Sequence, residues 1–341
     1  MRRSLFLYAV ALVHLVSAAR LDGAQETVPN PQPAAATFTN PLNPGPDPWM
    51  LWHEGSFYLT TTQGDCIRMW KAPSLRELKT AQGKVIWRDS EPTRSQGIWA
   101  PEFHFIGKRW YLYYTAMAAT KIDASHRLHV LESEGVDPMG PYHYRGRLFD
   151  PANDFYAIDA STFQNPADQR WYLVWAARPG HHLRIARMVN PWTFETPSVE
   201  IPASGFGCEE VREGPAVLVR NGKLFLTYSA CDTAKPDYKI GMLIADAQAD
   251  LLKPGSWIQH PRPIFERNDA AGVFGPGHHG FFKSPDGKED WIVYHAKTTA
   301  AYTYAGRTTR AQLFKWNRDG LPELGSPLPL SAEIAEPSGV R

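Results

Sequence analysis

Cysteine is scarce in this 341-residue chain, and Cys66, Cys208 and Cys231 stand far apart. Three such residues are too few and too scattered for a disulfide scaffold or a zinc site. In an oxidising compartment Cys208 and Cys231, which flank one expected hairpin, are the pair to bridge, leaving Cys66 free; three unpaired buried thiols are the alternative. Net charge is nearly absent as well, at +1 for pH 7. No block of Lys and Arg tracks a phosphate backbone, so nucleic acid is excluded as an expected partner. No apolar run reaches the roughly 20 residues that a bilayer requires, so no membrane span is expected. The nearest, Leu5 to Val16, follows Arg2 and Arg3 and precedes Ser17, Ala18 and Ala19. That is the layout of a cleavable export signal. Residues 1–19 are read as the signal, 20–36 as a flexible leader rich in Pro, Ala and Gln, and 37–341 as one folded domain, secreted or periplasmic. No Asn-x-Ser/Thr sequon, no internal linker and no sustained 3.6-residue periodicity beyond the signal are present. No protein partner is evident.

What the chain does have is an aromatic repeat. A polar or glycine-bearing turn leads into an aromatic strand five times: GSFYLTTT from Gly55, GKRWYLYYTA from Gly107, DQRWYLVWAA from Asp168, NGKLFLTYSA from Asn221 and GKEDWIVYHA from Gly287. With Tyr58, Tyr111, Tyr172, Phe225 and Trp291 as equivalents, the spacing is that of a propeller blade with generous loops. A further strand-like run follows each copy, as in Cys66 to Lys71 or Lys239 to Ala245. The expected fold is all-β, a five-bladed β-propeller with a central funnel.

A strand also precedes each copy, beginning at Asp47, Trp99, Asp159, Glu213 and His278. Innermost strands line a propeller's channel, so these positions converge on one mouth. Three of the five are carboxylates. Glycosidic cleavage needs a carboxylic acid to protonate the leaving oxygen and a carboxylate on the other side of the sugar, roughly 6.5–9.5 Å away when it activates water. A third carboxylate raises its neighbour's pKa by like-charge repulsion. Asp159 and Glu213 stand in otherwise apolar strands, where a carboxylate is costly without a task. Asp47, in Gly-Pro-Asp-Pro, also fits an ordinary turn.

Taken in order, Asp47-Pro-Trp, Trp99-Ala-Pro-Glu102, Ile158-Asp159-Ala, Arg212-Glu213-Gly-Pro215, Gly275-Pro-Gly-His278, Tyr294-His-Ala and RTTRAQ from Arg307 resemble glycoside hydrolase family 43, over about residues 37–330. The resemblance implies an inverting enzyme with Asp47 as base, Glu213 as acid and Asp159 tuning the acid. It implies that His278 supports a bound ion, often calcium, held mainly through water, with no cofactor required for the chemistry. Trp99 would wall the sugar subsite and Arg310 would bind sugar hydroxyls, Arg307 being its competitor. The stretches EGPAVLV, TYSACDTAKPDYKIGML and GRTTRAQLFKWN are most similar to exo-acting α-L-arabinofuranosidases, which makes arabinose-containing plant-wall saccharides the expected substrates. His279-Gly280-Phe281 departs from the family's usual Asn-Ser-Phe. β-Xylosidases and endo-arabinanases share the fold. A sugar-binding propeller without catalysis is the reading from another class, but its binding residues would repeat in every blade, whereas here they differ and converge once.

Glu102 is expected to be a structural acid bonded to its surroundings. Asp65, Asp123 and Asp154 are expected to be solvated loop residues. Arg310 and Gln312 share one face of their strand, either the channel or the blade interface.

Overall fold

The computed structural model describes residues 36–340, so the expected signal and all but the last residue of the leader lie outside the described residues. Each copy of the aromatic repeat is the second strand of an antiparallel sheet, and five such sheets form the blades. Blade 1 runs Trp49–His53, Ser56–Thr61, Ile67–Ala72 and Lys84–Trp87; blade 2 runs Gln96–Ile106, Arg109–Met117, Arg127–Ser133 and Tyr142–Arg147. Blade 3 begins with Ala157–Gln164, Trp171–Ala177 and His182–Asn190, whose outer edge pairs with two short strands, Thr193–Phe194 and Val199–Ile201. Blade 4 comprises Arg212–Arg220, Lys223–Ala230, Lys239–Asp246 and Ile258–Gln259, and blade 5 comprises Phe274–Lys283, Asp290–Lys297, Thr308–Trp316 and Pro322–Glu323.

Adjacent blades are joined by five apolar layers, one for each pair of neighbours. The repeated aromatics supply them. Tyr58 packs between blades 1 and 2, Tyr111 between 2 and 3, Tyr172 between 3 and 4, and Trp291 between 5 and 1. Period-2 alternation lets each second strand contribute to the layers on both sides of its blade, which is why these strands are apolar almost throughout.

The ring closes through residues from before blade 1. Leu42 N–H donates to the Thr309 carbonyl, and Thr309 N–H donates to that of Asn43. The buried Asn40 amide donates to the Ala311 carbonyl (3.0 Å) and accepts the Ala311 N–H (2.9 Å). Further out, Thr37–Phe38 pairs with Ile334–Ala335.

Where the inner strands enter the channel, each blade carries left-handed backbone at an equivalent place, Asp47, Ala100, Asp159, Gly214 and His278, with φ of 54, 42, 60, 52 and 41°, and blades 2 and 5 have a second such residue three positions earlier, Gly97 and Gly275. In blades 2 to 5 the strand register shifts at that place, the mark of a bulge. A bulge turns a side chain that would continue the sheet's alternation into the channel.

Candidate active site

Three of the five left-handed positions carry polar side chains, Asp47, Asp159 and His278, and Glu213 immediately precedes a fourth. Left-handed backbone is uncommon outside glycine and is tolerated best by short polar residues such as Asp. At the fourth position glycine takes the positive φ without strain, and a Cβ there would crowd the His278 ring at 3.2 Å.

The backbone N–H of each such residue is held by the neighbouring blade. Ala100 N–H donates to Thr62 Oγ1 (2.8 Å), Asp159 to Thr115 Oγ1 (3.2 Å), His278 to Ser229 Oγ (2.8 Å) and Asp47 to His295 Nδ1 (3.2 Å). The equivalent second-strand position of blade 3 is Ala176, which has no acceptor. There the Asp159 carboxylate takes over: its Oδ2 accepts the Gly214 N–H at 3.0 Å. Asp159 is thereby fixed beside Glu213.

These side chains meet in a cavity of about 560 Å³ walled by residues of all five blades. Asp47, Asp159, Glu213 and His278 are buried, with no more than 9% of any of them exposed. Nδ1 of His278 lies 3.5 Å from Asp47 Oδ1 and 3.9 Å from Asp159 Oδ2. Arg307 Nη1 donates to Asp47 Oδ1 at 3.1 Å. The Tyr238 hydroxyl donates to Glu213 Oε1 at 2.9 Å, and His181 Nε2 lies 3.3 Å from Glu213 Oε2, off the line of a good hydrogen bond.

The electrostatics separate the carboxylates. Burial opposes ionisation of Asp47, but Arg307 and then His278 outweigh it and hold this carboxylate well below its usual range. Burial raises Asp159, and repulsion from Glu213 and Asp47 adds to it, against the pull of His278 and the Gly214 N–H. Burial would raise Glu213 too, but His181, His278 and the Tyr238 hydroxyl bring it below the ordinary value. Burial also works against a charge on His278, yet the surrounding carboxylates raise it. Negative charge on Glu213 makes ionisation of Asp159 harder. The sequence reading expects Asp159 to raise Glu213. In the free site the preference runs the other way, and the pair's proton favours Asp159.

Trp99 lines the cavity, its ring 4.0 Å from that of His126. Arg310 does not reach the cavity. It is fully buried beside Tyr294 and donates to the Ala296 carbonyl (3.3 Å), while Arg307 stands at the cavity against Asp47. The expectation that Arg310 meets the sugar is therefore not met, because the face shared by Arg310 and Gln312 is the interior of the blade packing, and its competitor Arg307 is the arginine at the cavity. Glu102 lies outside the cavity lining, 2.9 Å from His104 Nε2. Burial pushes Glu102 up to about 8 and His104 down to about 3, so the pair is neutral at pH 7. Asp65 pairs with Arg88, and Asp154 with Arg127 and Arg147. Asp123, expected to be merely solvated, lines the cavity and pairs with Arg178 at 2.9 Å. Cys208 and Cys231 form a disulfide, and Cys66 is free and buried.

Sequence reasoning missed His181, Tyr238 and His295. His181 sits in the hairpin between Trp171–Ala177 and His182–Asn190, at a φ of 49°, and the Gly180-His181 turn was its only local signal. Tyr238 immediately precedes the strand Lys239–Asp246 and His295 lies within Asp290–Lys297, the latter quoted in Tyr294-His-Ala without a role, and neither has a local feature that separates a buried packing ring from one beside a carboxylate.

The ion that the resemblance attaches to His278 needs oxygen or nitrogen donors around it. Among the described residues no three His, Cys, Asp or Glu side chains converge as a ligand set. His278 Nδ1 is turned toward two carboxylates, which leaves one ring nitrogen. These residues fit an ion held chiefly through water with His278 as the single nitrogen ligand, and they do not fit a protein cage.

Residues 38–322 match the family model described as Glycosyl hydrolases family 43. The chain is similar to an extracellular exo-α-(1→5)-L-arabinofuranosidase of Streptomyces avermitilis, 38% identical over 87% of this chain and 65% of that protein. It is similar to α-L-arabinofuranosidase B of Pyricularia oryzae, 38% identical over 83% of this chain and 62% of that protein. The chain thus spans somewhat under two thirds of the length of these two relatives. Among solved structures, an α-L-arabinofuranosidase from Lactobacillus brevis superposes with a TM-score of 0.80 at 35% identity, covering 86% of this chain and 98% of that one. Among the described residues no helix is long and apolar enough to cross a membrane.

Proposed function

The chain belongs to glycosyl hydrolases family 43, and from that premise we propose that it is an inverting, exo-acting α-L-arabinofuranosidase, releasing terminal arabinofuranose from arabinan or arabino-oligosaccharides. The observation that carries this reading is the convergence of Asp47, Asp159 and Glu213 in one cavity walled by residues of all five blades. Exo action is supported by the similarity to a relative described as an exo-α-(1→5)-L-arabinofuranosidase, 38% identical. The similarity to arabinofuranosidases, two of them 38% identical, supports the choice of sugar.

Asp47, ionised by Arg307 and His278, takes a proton from a water whose oxygen attacks the anomeric carbon. The glycosidic C–O bond breaks with inversion, and the leaving oxygen receives the proton of Glu213. That carboxyl must be protonated when the bond breaks, so the reacting complex needs the proton on Glu213, whereas the free site favours it on Asp159.

Hydrolysis of aryl α-L-arabinofuranoside and aryl β-D-xylopyranoside, followed by product analysis on linear 1,5-arabinan, tests the reading. The expected outcome is arabinoside turnover at least about 100-fold above xyloside turnover, with arabinose as the first product, a discrimination of about 3 kcal/mol. Preference for the xyloside would point to a β-xylosidase, and oligosaccharides as first products to an endo-arabinanase. Binding of sugar without turnover would leave the non-catalytic propeller.

A further inference from the structure

Two large aromatic side chains stand at the mouth of the cavity with most of their surface open: Tyr302 is 63% and Tyr304 56% exposed. Their rings lie 6.2 Å apart, and both hydroxyls donate to one oxygen, Asp232 Oδ2, at 2.9 and 3.2 Å. Tyr304 and Asp232 line the cavity.

The loop that carries them is held from below. Lys297 is fully buried, and its ammonium donates to the carbonyls of Ala234, Ala301 and Thr303. Burying an ammonium is costly unless its hydrogens are satisfied, and here they are spent on fastening the 298–306 loop to the hairpin after Lys223–Ala230. Thr303 N–H donates to Ala234 as well (3.0 Å), and the disulfide at Cys231 adjoins Asp232. On the far side of the loop, Arg307 Nε donates to the Tyr304 carbonyl at 3.0 Å while its Nη1 reaches Asp47. The two open rings are therefore fixed in place and linked through one side chain to the base. Ordering a binding surface in advance removes an entropic cost from binding.

This rests on the reading above. If the reacting sugar occupies the buried floor, the rest of the saccharide passes out through the mouth, beside Tyr304. We propose that Tyr302 and Tyr304, tethered by Asp232, are the platform for the leaving-group sugar and set the enzyme's preference for saccharide over small leaving groups. An aromatic face suits the C–H face of a neutral sugar while the hydroxyls stay polar. Lys297 is a positioning residue for that platform.

The test compares kcat/KM on 1,5-linked arabinotriose and on methyl α-L-arabinofuranoside, whose leaving group is too small to reach the platform, and adds inhibition by free arabinose. Tyr302→Ala, outside the cavity lining, should lower arabinotriose kcat/KM about tenfold, leaving the methyl glycoside and arabinose inhibition unchanged, and Tyr304→Ala should lower the arabinotriose value about tenfold more than the methyl glycoside value. Tyr302→Phe and Tyr304→Phe, which keep the rings, should stay within about threefold of the parent, and thermal melting confirms folding. An unchanged arabinotriose value, or equal losses on both substrates, overturns the platform. A parent protein that cleaves no arabinoside sinks the arabinofuranosidase reading instead, and the same variants then decide the platform on short and long glycosides of whichever sugar it does cleave.

Discussion

Asp47 and Glu213 are both buried carboxylates, and their neighbours set them apart. Asp47 faces a guanidinium and an imidazole ring, so it stays ionised to low pH and suits a base. Glu213 shares a proton with Asp159, whose affinity is raised. In the proposed mechanism the acid's proton is therefore present below the raised pKa of Asp159 and lost as pH climbs through it. Glu213→Ala should cost about 10²–10⁴-fold on arabinobiose but far less on an aryl arabinoside with a good leaving group, which needs little protonation, and should flatten the alkaline fall in kcat/KM. Equal losses on both substrates would remove Glu213 from the acid role. The residue types were legible in sequence because carboxylates interrupted apolar strands. The direction of their pKa shifts was not, since it depends on His181, Tyr238 and Arg307, which are distant in the chain.

At the scale of the element, the left-handed backbone at the head of each inner strand, a bulge in blades 2 to 5, does the aiming. Four of the five N–H groups at these positions find a side chain on the preceding blade, and Ala176 is the gap that recruits Asp159 to Gly214. Ala176→Ser would restore an acceptor there and compete for that N–H. Because the Gly214 N–H lowers the Asp159 pKa, releasing it should raise that pKa further, moving the alkaline limb of the kcat/KM profile to higher pH and lowering kcat about threefold to tenfold. An unchanged pH profile would show that the gap does not orient Asp159. Strand positions were readable from aromatic repeats and period-2 alternation. The bulges were not: Ala100 and Gly214 look unremarkable in sequence, and a one-residue shift is visible only against a paired strand. The same blindness left Arg307 and Arg310 unresolved, because alternation gives two faces without saying which is the channel.

For the whole molecule, the ring is only as stable as its closure. Asn40 substitutes for a strand's backbone by pairing with both polar groups of Ala311. Asn40→Ala leaves a buried N–H and a buried carbonyl unsatisfied, an expected loss of about 2–3 kcal/mol. Calorimetry should show Tm lower by several degrees in a single transition, since every blade leans on its neighbours. A separate low-temperature transition would mean that blade 1 or blade 5 unfolds alone. By itself the sequence determined the blade count, the order of the strands and the three carboxylates, because these follow from local periodicity and from the cost of charge among apolar neighbours. Only the tertiary structure decided which arginine meets Asp47, which histidine and tyrosine hold Glu213, and that two tyrosines stand at the mouth. Those facts depend on contacts between blades, and pairing across a closed ring brings together residues whose separation in the chain carries no mark of it.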